Sequence, residues 1–131
     1  MSDLKISTRQ SGGVTIVDLS GKIALGESNR ALHDAIKGLI DGGQKDILLN
    51  LANVTVIDSS GLGELVASYA SAERNGGAMK LANLSDRFIE LIHITKLYTV
   101  FDVFDNEADA LASFGSENFK AAVTGRIAAG S

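Results

Sequence analysis

Cysteine is absent from the 131-residue sequence, which excludes disulfide bonds and thiolate metal sites. The two histidines and the dispersed carboxylates also make a poor set of metal ligands. No run of basic residues is present, and Lys+Arg 12 against Asp+Glu 16 gives a net charge of −4. Because nucleic acid binding needs a basic surface to neutralise phosphates, no nucleic acid partner is expected.

Long apolar runs are also missing. The N-terminal sequence MSDLKIS has no apolar segment typical of a signal peptide, and no apolar run approaches membrane-spanning length. We therefore expect a soluble, cytoplasmic protein that does not insert directly into membranes. At 131 residues we expect a single domain, which buries roughly two-thirds of the surface that its unfolded chain exposes.

The sequence does not contain the residue pattern of a catalytic nucleophile with its base. His33 follows a core-facing leucine of a predicted helix and should face solvent, and His93 comes at the end of a short predicted helix. The GxSxG elbow is absent. The segment 61–63, Gly-Leu-Gly, lacks the lysine that follows in a phosphate-binding loop. No enzymatic activity, metal ion or cofactor is expected.

Apolar periodicity predicts an N-terminal β-hairpin followed by alternating helices and strands. The alternating runs 4–8 and 14–19 flank the glycine turn at 12–13, a pattern typical of an antiparallel hairpin. Helices are predicted over 28–41 and 59–75 and after the capping residues Ser85 and Asn106, and strands over 47–51, 78–82 and 100–104. This order predicts an α/β fold with a mixed β-sheet and helices mostly packed on one face.

One stretch changes abruptly from strand to helix. Residues 54–57 are apolar, and Asp58 and Ser59 are residue types that cap a helix by accepting its first backbone N–H groups. Ser60 should therefore lie in the first helical turn, close to solvent. On these residues alone, a capped helix without any functional role is as well supported as a functional site.

Two glycines follow in the same turn. Gly61 and Gly63 each cost up to about 1 kcal/mol relative to alanine in a helix interior. Their presence indicates that another group approaches the backbone closely at this turn. The approaching group is either a neighbouring strand or a partner.

The segment 57–63, Ile-Asp-Ser-Ser-Gly-Leu-Gly, resembles the signature of the STAS domain family, which contains anti-sigma factor antagonists and transporter-associated domains. Segments 17–23, 48–54 and 99–111 are also similar to the family. The resemblance covers roughly residues 4 to 114 and implies a single STAS domain over 1–114. Residues 115–131, rich in glycine, alanine and serine, are predicted to form a C-terminal extension that is flexible or a short helix.

The resemblance implies a regulatory protein that switches partners. In this family, an anti-sigma factor that is also a serine kinase binds the unphosphorylated form and thereby releases its sigma factor. Phosphorylation ends this binding, and a serine phosphatase reverses it. The resemblance implies that Ser60 is the phosphorylated residue. The expected partner-binding residues are Asp58, Ser59, Gly61 and Leu62 around it, and Glu27 and Ser28 in the turn before the first predicted helix.

Leu62 is expected to be exposed and to contact the partner as well as the core, because the first turn must be accessible if Ser60 is. Two alternatives share the fold. The protein could be a STAS subunit docked on a membrane transporter and never phosphorylated. It could also be a subunit of a stress-sensing complex, which would usually carry an additional N-terminal sensory domain. The presence of Ser60 favours the switch, although serine is also a good helix-capping residue.

Overall fold

The computed structural model describes residues 4–114, in which five strands form one sheet. The strands are β1 (Leu4–Ser11), β2 (Val14–Ile23), β3 (Asp46–Ile57), β4 (Ala78–Ala82) and β5 (Asp102–Phe104). The helices are α1 (Glu27–Asp41), α2 (Ser59–Arg74) and α3 (Asp86–Ile94), with a 3₁₀ turn at Leu97–Thr99. Residues 107–114 are also helical and are called α4. The predicted extension, 115–131, lies outside the described residues.

The sheet is mixed, as the sequence predicts. Its strand order is β1-β2-β3-β4-β5, with β1 antiparallel to β2 and every other pair parallel. Gly12 and Gly13 join β1 to β2 with φ angles of +53° and +85°, which favour glycine at both positions of a two-residue hairpin turn. Each parallel pair is connected through a helix, so the chain makes three consecutive βαβ crossovers.

Three of the four helices cover one face of the sheet. The main core on this face combines residues of α1, α2 and α3 with the inward side chains of the strands, among them Leu32, Ile36, Leu65, Phe88 and Ile92. A smaller cluster on the other face joins the sheet to α4 through Ala110 and Phe114. The prediction that most helices pack on one face is therefore confirmed, with α4 as the exception among the described helices.

β3 is the central strand and the one that leads to the site. Ile47, Leu48 and Leu49 are completely buried because both faces of the sheet are covered there. β4 pairs only with the first five residues of β3. β2 pairs with β3 as far as Ile57, with two register shifts. The second half of β3 therefore runs past β4 and delivers the chain to the start of α2, beside the end of β2.

A polar cluster fastens α4 to the strands. The Arg9 guanidinium donates to both carboxylate oxygens of Asp18, at 2.6 and 2.9 Å, and to Glu107 at the start of α4. Asn50 also donates to Asp18, at 2.8 Å. The hydrogen bonds that Asp18 accepts, first those from Arg9 and then that from Asn50, hold the pKa of its carboxyl below the usual value.

Candidate functional site

The candidate site is built where β2 and β3 end side by side. Asp58 has an extended backbone and is the N-cap of α2, because its Oδ1 accepts a hydrogen bond from the Gly61 N–H at 2.7 Å. Its Oδ2 accepts from the Leu25 N–H at 3.0 Å. The Gly61 bond and then the Leu25 bond lower the pKa of Asp58. One carboxylate therefore links the helix start to the turn after β2.

Gly61 is the point at which α2 lies against β2. A Cβ atom added there would stand 2.1 Å from the Ile23 carbonyl oxygen, far closer than van der Waals contact allows. The expected close approach to the backbone is therefore real, and the approaching group is the end of β2. At Gly63 no part of the described chain approaches in this way, because an added Cβ would meet nothing within 4 Å.

This difference predicts opposite effects of the same substitution at the two glycines. Gly61→Ala should destabilise the protein by about 1–3 kcal/mol, because a backbone carbonyl must move to admit the methyl group. Gly63→Ala should stabilise it by up to about 1 kcal/mol, because alanine is the better helix former in open space. Urea unfolding of the two variants measures both values. Changes of the same sign would contradict the described position of α2.

Ser60 differs from its neighbour Ser59 in its surroundings. Ser59 is exposed, whereas Ser60 is half-buried and lies in the first turn of α2, as predicted. The Ser60 Oγ accepts a hydrogen bond of 2.7 Å from the side-chain amide of Asn29 in the first turn of α1. An amide cannot take up a proton as a base does, so this contact orients the hydroxyl without activating it as a nucleophile.

The turn between β2 and α1 lies next to this serine and carries the predicted residues Glu27 and Ser28. Glu27 is exposed at the start of α1. Ser28 is only 6% exposed, and its hydroxyl donates to the Ala24 carbonyl and accepts from the Ala24 N–H. Ser28 therefore shapes the turn. A role for either residue in partner binding stays a prediction.

Leu25, at the tip of the same turn, was not predicted as part of the site. Its side chain is 79% exposed, which makes it the most exposed large apolar residue in the described part of the chain. Its backbone is held by Asp58, and Gly26 beside it has a φ of +106°. The sequence does contain a signal for an exposed leucine here, because Leu25 directly precedes a glycine and falls outside the periodic apolar pattern of α1.

The expectation that Leu62 is exposed is wrong. Its side chain is 7% exposed and belongs to the main core, together with Leu65 and Ile23. Leu62 lies three residues before the completely buried Leu65, and residues three apart are neighbours on a helix surface, so both belong to the face of α2 that packs against the core. Leu62 therefore packs in the core, and its predicted role in partner binding stays a prediction.

The two histidines lie in ordinary surroundings. The exposed His33 is at 2.9 Å from Glu64, a contact between α1 and α2, and the His93 ring packs against Tyr98. Within residues 4–114, no group of three or more His, Asp or Glu side chains could hold a metal ion. No helix among these residues is long and apolar enough to cross a membrane.

A largely apolar groove of about 430 Å³ lies between the second half of β3 and α3. Val56 and Ile94 line it and are exposed. Ser60, Asn29 and Leu25 are not among its lining residues, so the groove is separate from the serine site.

Named relatives resemble the chain over most of its length. It is 31% identical to the anti-sigma-B factor antagonist of Bacillus subtilis (strain 168) over 101 residues, covering 77% of this chain and 91% of that protein. It is 28% identical to the anti-sigma F factor antagonist of Paenibacillus polymyxa over 109 residues, covering 83% and 93% of the two chains.

Solved structures share the fold. An anti-sigma factor antagonist from Mycobacterium paratuberculosis superposes with a TM-score of 0.76 at 24% identity, covering 85% of this chain and 93% of that one. The Bacillus cell fate determinant SpoIIAA in its phosphorylated form gives a TM-score of 0.66 at 18% identity, covering 83% and 98%. The sequence model of the STAS domain matches residues 5–110. The chain therefore belongs to the STAS domain family.

Proposed function

We propose that this protein is an anti-sigma factor antagonist whose binding state is set by phosphorylation of Ser60. In its unphosphorylated form it binds an anti-sigma factor that is also a serine kinase, and so releases a sigma factor. A serine phosphatase restores the phosphorylated form to the binding state. The observation that carries this proposal is a hydroxyl held at a helix N-terminus beside an exposed apolar turn, in a chain whose relatives are named as anti-sigma factor antagonists.

In the phosphorylation reaction, this chain supplies only the accepting hydroxyl group. The Ser60 Oγ forms a bond to the γ-phosphorus of ATP held by the kinase, the bond from that phosphorus to the β,γ-bridging oxygen breaks, and ADP leaves. The hydroxyl proton passes to a base of the kinase. The contribution of this protein is to present the hydroxyl on a rigid support, because Asp58 fixes the start of α2 and Gly61 sets α2 against β2.

The phosphoryl group then changes the surface more than the fold. It adds a charge of about −1.5 to −2 at neutral pH. The N-terminus of α2 stabilises a negative charge by about 0.3–1 kcal/mol, whereas the ionised Asp58 two residues away repels it. These two effects oppose each other, so the charge acts mainly on whatever partner must cover Ser60.

The first test identifies the phosphorylated residue. Ser60→Ala protein used as bait, with Ser60→Asp bait as the matched control, should capture the kinase from lysate selectively on the alanine variant. The captured kinase with ATP should then place one phosphate on Ser60 of the wild-type protein, as measured by peptide mass spectrometry. Ser59 as the main acceptor, or stoichiometric phosphorylation of Ser60→Ala, would contradict the proposal.

Leu25 provides a second test. A large exposed apolar side chain beside the switch is suited to anchor the partner, and Leu25→Ala should weaken binding roughly tenfold. Ile94→Ala is the matched control, because Ile94 is 71% exposed but lines the separate groove on α3. Calorimetric titration with the captured kinase should show a change of less than about twofold for this control. Equal weakening by both substitutions would exclude Leu25 as a specific anchor.

The alternative is a docking subunit of a transporter or of a stress-sensing complex that is never phosphorylated. In that case Ser60 would serve only as a first-turn helix residue. Ser60→Ala and Ser60→Asp baits would then capture the same proteins, and no kinase activity would be recovered with either bait.

A further inference from the structure

Asn29 is the only residue among those described whose side chain hydrogen bonds Ser60. It lies in the first turn of α1, and its amide nitrogen is 2.7 Å from the Ser60 Oγ. The Asn29 Oδ1 is buried and makes no hydrogen bond. Buried side-chain oxygens without a partner are rare, and in a folded protein such an atom calls for an explanation.

An amide can serve a hydroxyl group in either of two ways, because it carries a donor and an acceptor. If it were turned over, the Ser60 hydroxyl would donate to the Oδ1, so the contact between the two side chains does not depend on the orientation. A phosphoryl group is different, since its oxygens only accept. Asn29 can therefore bind phosphoserine only through its N–H groups, and the incoming group adds three strong acceptors next to them.

We propose that Asn29 is the positioning residue of the switch, which holds the Ser60 hydroxyl before phosphorylation and donates a hydrogen bond to the phosphoryl group afterwards. This inference rests on the proposed function in taking Ser60 to be the modified residue. A hydrogen bond from a neutral amide to a charged phosphoryl oxygen is stronger than one to a hydroxyl. Asn29 therefore favours the dianion of phosphoserine over its monoanion and lowers the second pKa of the phosphoryl group.

Ser59 supplies an internal comparison. It lies at the start of the same helix, so the helix N-terminus would stabilise a phosphoryl group there to a similar degree and Asp58 would also repel it. Its side chain is exposed, however, and makes no hydrogen bond with Asn29. A change at Asn29 should therefore alter phosphoserine at position 60 and leave phosphoserine at position 59 unaffected.

The test introduces phosphoserine genetically at position 60 or at position 59 and measures its second pKa by ³¹P NMR. Asn29→Ala should raise that pKa by about half a pH unit at position 60 and by less than about 0.1 unit at position 59. An unchanged pKa at position 60 would overturn the proposal. Equal shifts at both positions would do so too, because they would reveal a general change in the start of α2.

Asn29→Asp keeps the test decisive if the alanine variant folds poorly. A carboxylate is suited to the first turn of a helix, so α1 should form normally. This variant replaces a donor with a negative charge, and the pKa at position 60 should rise by about one unit. A lowered pKa would contradict the proposed contact. Because no kinase is used, a flat NMR result overturns only the role of Asn29, whereas failure of the kinase to phosphorylate Ser60 overturns the proposed function.

Discussion

Phosphorylation of Ser60 should lower affinity for the anti-sigma factor by more than about tenfold while changing the melting temperature by only a few degrees. Tenfold in affinity corresponds to about 1.4 kcal/mol, and burying an unpaired dianion in a desolvated interface costs at least that much. Stability should change little, because the helix N-terminus and Asp58 act on the phosphoryl group in opposite directions, each by about 1 kcal/mol or less.

Substitutions at Ser60 should reproduce the two states to different degrees. Ser60→Asp should weaken binding less than phosphorylation does, because it carries a single charge on a shorter side chain. Ser60→Ala should bind constitutively. Ser11→Asp is the matched control, since Ser11 is exposed at the opposite end of the β1-β2 hairpin from Ile23. It adds the same charge there and should leave the dissociation constant unchanged.

Calorimetry and a melting curve on one phosphorylated sample decide whether the switch acts at the interface. Retained melting temperature with lost binding is the expected combination. A large loss of stability with a proportionate loss of binding would mean that phosphorylation unfolds the protein.

Leu62→Ala should cost about 2–4 kcal/mol of unfolding free energy, the largest effect on stability that we predict. Leu62 is only 7% exposed, and its truncation leaves a cavity between the start of α2 and the end of β2. The melting temperature should fall by roughly 10–20 °C. Urea unfolding monitored by circular dichroism measures the change in free energy.

The contrast with Leu25→Ala separates packing from binding. Leu62→Ala should leave the dissociation constant of the folded protein nearly unchanged, whereas Leu25→Ala should leave stability within about 0.5 kcal/mol. If Leu62→Ala left stability unchanged but weakened binding, the result would contradict the burial of Leu62 in the core and would show that this leucine contacts the partner.

Local sequence patterns predicted most of the fold. The glycine turn at 12–13, the apolar stripe of α1 and the capping residues Asp58, Ser85 and Asn106 each act within a few neighbouring residues, and the corresponding elements are present. The continuity of β3 was not predicted. Strands were expected over 47–51 and 54–57, whereas β3 is continuous because pairing with β2 carries it through the exposed residues 52 and 53. That pairing joins residues distant in sequence, and it gives residues 52 and 53 no apolar pattern from which a strand could be predicted.

The details of the site depend on contacts between elements distant in sequence, which local patterns do not reveal. Leu62 belongs to the apolar stripe of α2, but its burial depends on where α2 lies against the sheet, above all against the end of β2. Asn29 contacts Ser60 because α1 and α2 begin side by side, 31 residues apart in sequence. β5 is likewise shorter than the predicted 100–104, because only Asp102–Phe104 pairs with β4. The division of the chain at residue 114 and the role of each predicted partner-binding residue stay predictions.

In the proposed switch, one modification on Ser60 determines whether this protein displaces a sigma factor. The most direct measurement adds the protein to a preformed complex of the captured anti-sigma factor and its sigma factor, and follows release by size-exclusion chromatography. Unphosphorylated protein and Ser60→Ala should release the sigma factor, and protein phosphorylated on Ser60 should leave the complex intact at the same concentration. Equal release by the two forms, or release by neither, would contradict the account.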